Sequence, residues 1–355
     1  MISDAAQIIE SKPILPSQRM EMLDVGRFIA AVGVIILHVA AIEAETAYIG
    51  WLGRFAVPFF TTTAVALAVD GFRRNPAKLL GAYGASRLLR IYVPFLVWTL
   101  AYVALRNFKY RFLSHQPLIR LEWFVLIVGS AHHLWFLPFI LLATLFAAAG
   151  AKLVLFRLPA WAVVSISVGS ALIPMLFHSQ VKPVPPGGDG AGLTIHYFMG
   201  LAWQTLPMAL MGVGVGRVLQ ELRSLRHRAT VACFGVTLGV LSLALGPAFN
   251  YALALQYASG IGIVFFALGP WHNSLVRAVA SWGQAAYGIY LVHVFWYLSL
   301  DLLLSKLHLT RGLGTIWMII ASTTVLSTLS AVLISKSRFT AWTIGIGAPS
   351  RGLCR

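Results

Sequence analysis

Arg27 and His38 stand 11 positions apart in one apolar stretch. Eleven residues carry an α-helix through almost three full turns, so both side chains share a face, separated by about 16 Å along the axis. Ionisable groups inside a membrane-length helix are costly and usually face the bundle interior or an aqueous cavity. An imidazole held there has the chemistry of a general base, able to take the proton of a hydroxyl. Asp24 lies three residues before Arg27 and can pair with it across one turn. The plainer readings are a neutral, hydrogen-bonded histidine and an arginine that snorkels to the interface.

Arg87-Leu88-Leu89-Arg90 places two guanidinium groups three residues apart at the start of another apolar run. Such a pair projects to one side and suits bidentate phosphate binding, or simple anchoring at a membrane face. Tyr287-Gly288-Ile289-Tyr290-Leu291-Val292-His293 sets His293 among apolar residues with Tyr290 one turn away, the pattern of a packed, hydrogen-bonded histidine. His132 and His133 precede Trp135-Phe136-Leu137-Pro138. Adjacent positions on a helix point in different directions, which makes them a poor metal pair and weak candidates. No His-x-x-x-His or equivalent ligand spacing occurs, and no metal is assigned. A Walker-type phosphate loop, a Gly-x-Gly-x-x-Gly after a strand and a Gly-x-Ser-x-Gly elbow are also missing from the sequence.

The elements that must position these groups are membrane helices. Of 355 residues, 59% are hydrophobic and 11% charged, against about 25% charged in soluble domains. Apolar runs broken by charged or Pro/Gly-rich segments predict ten spans: 25–42, 49–69, 88–105, 134–150, 160–177, 197–216, 229–246, 248–268, 282–301 and 313–335. The expected architecture is an all-α polytopic helical bundle, with a segment 1–20, a membrane domain 21–338 and a tail 339–355. The apolar stretch 121–130 is too short to cross and reads as an interfacial helix.

The net charge of +16 lacks the clustered basic face of a nucleic-acid binder and fits cytoplasmic loops held against anionic lipid. Arg73, Arg74, Lys78, Lys152, Arg157, Arg217, Arg223, Arg226, Arg228, Arg277, Lys336, Arg338, Arg351 and Arg355 fall on one side, placing both termini inside. The basic stretch 106–120 pulls the other way. The Pro/Gly-rich stretch 181–190 is an outer loop. Cys233 and Cys354 cannot make a disulfide framework. The first 19 residues lack the marks of a secretory signal, so the first apolar helix is expected to serve as an uncleaved anchor.

Taken together, these segments resemble the acyltransferase 3 family of bacterial membrane O-acyltransferases. Met22-Leu23-Asp24-Val25-Gly26-Arg27-Phe28 followed by His38 is similar to its first-helix signature. Arg87-Leu88-Leu89-Arg90 matches its Arg-x-x-Arg motif. Leu134-Trp135-Phe136-Leu137-Pro138 and Tyr287–His293 resemble further family segments, in the expected order. The resemblance extends over most of the chain. Two positions depart from it: Phe59-Phe60-Thr61-Thr62-Thr63-Ala64 replaces a Phe-Phe-x-x-Ser-Gly pattern, and Ala286 stands where a Ser is common.

The resemblance implies a stand-alone member in the bacterial cytoplasmic (inner) membrane. It would move an acyl group, usually acetyl, from acyl-coenzyme A to a hydroxyl of a surface or secreted glycan or lipid-linked sugar. His38 would be the base or a transient acyl carrier. Arg87 and Arg90 would hold the donor, Arg27 would bind donor or brace the helix through Asp24, and Trp135, Tyr290 and His293 would support the site. Membrane lipids, a second copy and polysaccharide-synthesis proteins are the expected partners. The competing readings are a secondary transporter, which usually shows internal repeats that this sequence lacks, and a non-catalytic polysaccharide-export component.

Overall fold

The computed structural model describes residues 20–40, 47–111, 122–177, 195–224, 228–250, 252–308 and 312–346. The outer loop expected at 181–190, the side chains of Arg223 and Arg226, segment 1–19 and the tail beyond 346 lie outside the described residues. In chain order the helices are α1 (Glu21–Ala40), α2 (Ala47–Gly53), α3 (Ala56–Arg74), α4 (Leu80–Arg87), α5 (Val93–Lys109), α6 (Val125–Val128), α7 (Phe136–Leu153), α8 (Ala160–Leu176), α9 (Ile195–Ser224), α10 (Arg228–Leu245), α11 (Leu253–Phe266), α12 (Ser274–Gly283), α13 (Ala286–Lys306) and α14 (Leu313–Lys336). A π-helical turn, Leu88–Tyr92, joins α4 to α5, and no strand occurs among the described residues. The protein is an all-α, multi-pass membrane bundle.

Each of the ten expected spans contains a helix, but among the described residues eight helical segments are long and apolar enough to cross a bilayer. The other two, α8 and α11, have 17 and 14 residues, below the roughly 20 that a full crossing needs. The eighth span was expected from residue 248. Pro247 instead opens a short 3₁₀ turn, and Asn250 adopts a left-handed conformation (φ 48°), so α11 starts only at Leu253. The second span is interrupted at Arg54 and Phe55, between α2 and α3. The third begins eight residues earlier than expected, at Leu80. Its π turn lies just before Pro94, which has no N–H to give to a carbonyl one turn back; a widened turn accommodates that loss. The interfacial helix expected over 121–130 shrinks to α6, ended by Gly129 at φ 87°.

Small residues set the closest helix contacts, as expected where lipid removes the hydrophobic drive for helices to associate. On α9, a Cβ at Gly212 would lie 2.8 Å from the Thr62 carbonyl oxygen, and one at Gly216 would lie 2.6 Å from that of Ala66. The register advances together on both helices, so α3 and α9 run parallel. Thr62 also donates its hydroxyl to the Met208 carbonyl at 3.2 Å. Close approach at the departing Thr62-Thr63-Ala64 segment is therefore supplied by glycines on the facing helix. At the far end of this pair, buried Asp70 meets Arg74 at 2.9 Å, and Arg73 reaches Glu221 on α9 at 2.7 Å. After α14 the chain continues into a short turn over 341–344, where Ala341 and Ile344 pack into the bundle while Phe339 and Trp342 stay exposed.

Candidate active site

Two cavities lie in the bundle and share two wall residues, Phe136 and Tyr290. The larger, about 460 Å³, is lined by His38, His132, His133 and Trp135, with Arg54, Gln204, Gln256 and four tyrosines around them. The smaller, about 290 Å³, is lined by Arg27, Arg87 and Arg90, and by Tyr287 and Gly345.

The histidine cluster is built by three elements. The last turn of α1 supplies His38. The turn 129–135 ahead of α7 supplies His132 and His133, and α13 supplies His293. His132 Nε2 lies 2.9 Å from His38 Nδ1. The His38 ring centroid is 4.5 Å from that of His132, 6.1 Å from His133 and 5.3 Å from His293, stacked nearly parallel on the last. His293 Nδ1 donates to the Tyr290 carbonyl at 2.7 Å, which leaves its Nε2 facing the cluster without a partner among the described residues.

Backbone contacts hold the cluster in place. The Tyr290 hydroxyl donates to the His133 carbonyl, and Tyr102 donates to the Leu291 carbonyl at 2.7 Å. Burial, reinforced by the His293, His132 and His38 rings, pushes the His133 pKa well below the usual histidine value. Four imidazoles converge here, yet the described residues offer no group of three His, Cys, Asp or Glu side chains placed to hold a metal.

On the sequence His132 and His133 are weak candidates and a poor metal pair, because neighbours on a helix diverge. They are not on a helix. The turn lets both rings face α1 from different directions, 77° apart in plane. Their position next to Trp135-Phe136-Leu137-Pro138 was the available signal. His293 keeps its expected packing role and also stacks on His38.

The arginine cavity brings Arg27 from α1 together with Arg87 and Arg90. Arg27 pairs with Asp24 at 2.8 Å, as the spacing predicts. The backbone carrying Arg87 and Arg90 is braced on two sides. Tyr287 donates to the Ile91 carbonyl at 3.1 Å, and Gly345, at φ 72°, packs where a Cβ would lie 2.6 Å from the Arg90 carbonyl oxygen. The Arg87 guanidinium sits 5.0 Å above the Tyr83 ring. Ala286, the second departing position, lines this cavity. Arg27 and His38 thus lie on one helix, one per cavity, while Trp135 and Tyr290 line the histidine side.

The combined arrangement is a cluster of imidazoles in one cavity, three arginines in the other, and Phe136 and Tyr290 shared between them. A family model described as an acyltransferase domain matches residues 21–336. Neither a curated protein nor a solved structure gives a significant match.

Proposed function

The chain belongs to the acyltransferase 3 family and is a membrane acyltransferase, and within that class we propose that it carries acyl groups, acetyl first among them, from acyl-coenzyme A to a glycan hydroxyl. The observation that supports this reading is the pair of cavities meeting at Phe136 and Tyr290. A phosphate-rich donor suits the side with three arginines, because guanidinium groups recognise phosphate through paired, charge-assisted hydrogen bonds. A sugar suits the other side, where aromatic faces and the amides of Gln204 and Gln256 offer stacking and hydrogen bonding. The acceptor is a surface or secreted glycan, or a lipid-linked sugar, at the bacterial inner membrane. With both termini inside, the donor enters from the cytoplasm and the acceptor from the outer face.

The reaction balances simply. His38 takes the proton of the acceptor hydroxyl as its oxygen attacks the thioester carbonyl. The new C–O bond forms, the C–S bond breaks, and the proton passes from His38 to the departing thiolate. A hydroxyl is a poor nucleophile until a positioned base removes that proton, which is worth about 10²- to 10⁴-fold in rate. A covalent route, in which His38 carries the acyl group between the two cavities, uses the same atoms in two steps.

The test uses the purified full chain, acetyl-coenzyme A and a panel of bacterial glycans. The expected outcome is acetyl transfer to at least one glycan, with coenzyme A raising the unfolding temperature, since a ligand that binds the folded state stabilises it. A protein that neither binds coenzyme A nor acylates any glycan overturns the reading and makes transport the function to assay.

A further inference from the structure

We propose that His132 is the positioning residue for His38: it accepts the His38 Nδ1–H and so fixes the tautomer in which Nε2 is free to act as base. The inference rests on the acyl-transfer reading above for its purpose, and on geometry for its content. His38 Nδ1 is engaged by His132 Nε2 at 2.9 Å. Only one proton can lie between two neutral imidazoles, and it belongs to one ring or the other. If His132 donated, His38 would carry its own proton on Nε2 and could not take another there. If His38 donates, its Nε2 lone pair is bare, and the imidazolium formed after proton capture is stabilised by the same contact. The base role therefore selects the second arrangement, with the His132 proton on Nδ1.

The turn carrying His132 is fixed to suit this role. The Ser130 hydroxyl donates to the Thr99 carbonyl at 2.6 Å, and Arg106 donates to the Ser130 carbonyl at 3.0 Å, tying the turn to α5. The Tyr290 hydroxyl on the His133 carbonyl ties it to α13. Gly129 opens the turn at φ 87°, and any Cβ there would press against the Leu134 Cβ. Two helices thus anchor the backbone on either side of His132, and its ring needs no induced movement to meet His38. An oriented base depends on such supporting contacts as much as on its own ring.

The test compares His132→Leu, which cannot accept, with His132→Gln, whose amide oxygen reaches about the position of Nε2 and can. With acetyl-coenzyme A and the glycan that the wild type acylates, His132→Leu is expected to lower kcat by about 10²-fold, with the donor KM unchanged. His132→Gln is expected to recover at least about tenfold of that loss. A purely structural role predicts equal losses in both variants, and that result overturns the proposal, as does a His132→Leu kcat within about twofold of wild type.

A second readout needs no substrate. Nitrogen NMR of protein grown with labelled histidine identifies the His38 signals by their loss in His38→Ala. A protonated Nδ1 with a bare Nε2 supports the assignment, and a protonated Nε2 in the wild type overturns it. If the wild type acylates nothing while the NMR shows a protonated Nδ1, the functional reading fails and the tautomer assignment stands.

Discussion

The two ends of the bundle hold their polar groups in opposite ways. At the histidine end, His133 and His293 are each 1% exposed, and the rings pack on one another and on Tyr102 and Tyr290. At the arginine end, the Arg27 side chain is 36% exposed and Arg90 lies open at the surface, while the backbone beneath Arg90 is pinned by Tyr287 and Gly345. One end packs His133 and His293 into the interior behind a half-buried His38 and an exposed His132; the other fixes backbone and leaves long, charged side chains to reach. The first arrangement suits a group whose exact orientation governs a proton transfer. The second suits recognition of a mobile, multiply charged ligand. The contrast matters because chemistry and binding should then be separable by mutation.

The sharpest way to break that separation is to empty each end in turn. His38→Ala should lower kcat by about 10²- to 10⁴-fold, while coenzyme A still raises the unfolding temperature. Arg87→Ala and Arg90→Ala should each weaken the donor by about tenfold or more, the worth of a charge-assisted hydrogen bond, with kcat at saturating donor nearly unchanged. Titrating acetyl-coenzyme A against each variant measures both quantities. Loss of coenzyme A binding in His38→Ala, or loss of kcat alone in the arginine variants, would remove the division of labour. Arg87→Lys should recover less than half of the lost binding free energy, since an ammonium cannot make the bidentate contact.

Much of this site was legible because helical periodicity is rigid. The spacing from Arg27 to His38 translates directly into two places along one helix, and Arg87 and Arg90 line one cavity although a π turn begins between them. His132 and His133 were not legible, because the argument against them assumed a helix where the chain makes a turn. The π turn was also hidden; Pro94 signals a disturbed helix but not its direction. The close contact between α3 and α9 was missed for another reason. The departure from the family pattern at Thr62-Thr63-Ala64 points to a stretch of α3 without a glycine, whereas Gly212 and Gly216 solve the packing from the opposite side. Replacing Gly216 by Val should cost about 1–3 kcal/mol through overpacking against the Ala66 backbone. Thermal unfolding should show the loss, with both ends weakened together. An effect on one end alone would mean that α9 does not serve as their common support.

The smallest expected effect concerns acid. His133 lies in the turn ahead of α7, and burial together with its imidazole neighbours keeps its folded-state pKa below the unfolded value of about 6.5. The folded protein therefore binds fewer protons at this group than the unfolded chain does. Its contribution to stability is complete above about pH 6.5 and is lost as the pH falls below that value. Unfolding temperatures at about pH 8 and about pH 5 should fall more for the wild type than for His133→Phe, which keeps the ring volume and removes the titrating nitrogens. Equal falls would show that the acid sensitivity of the bundle arises away from His133, and would weaken the picture of a histidine end held by packed rings beside an open, charged one.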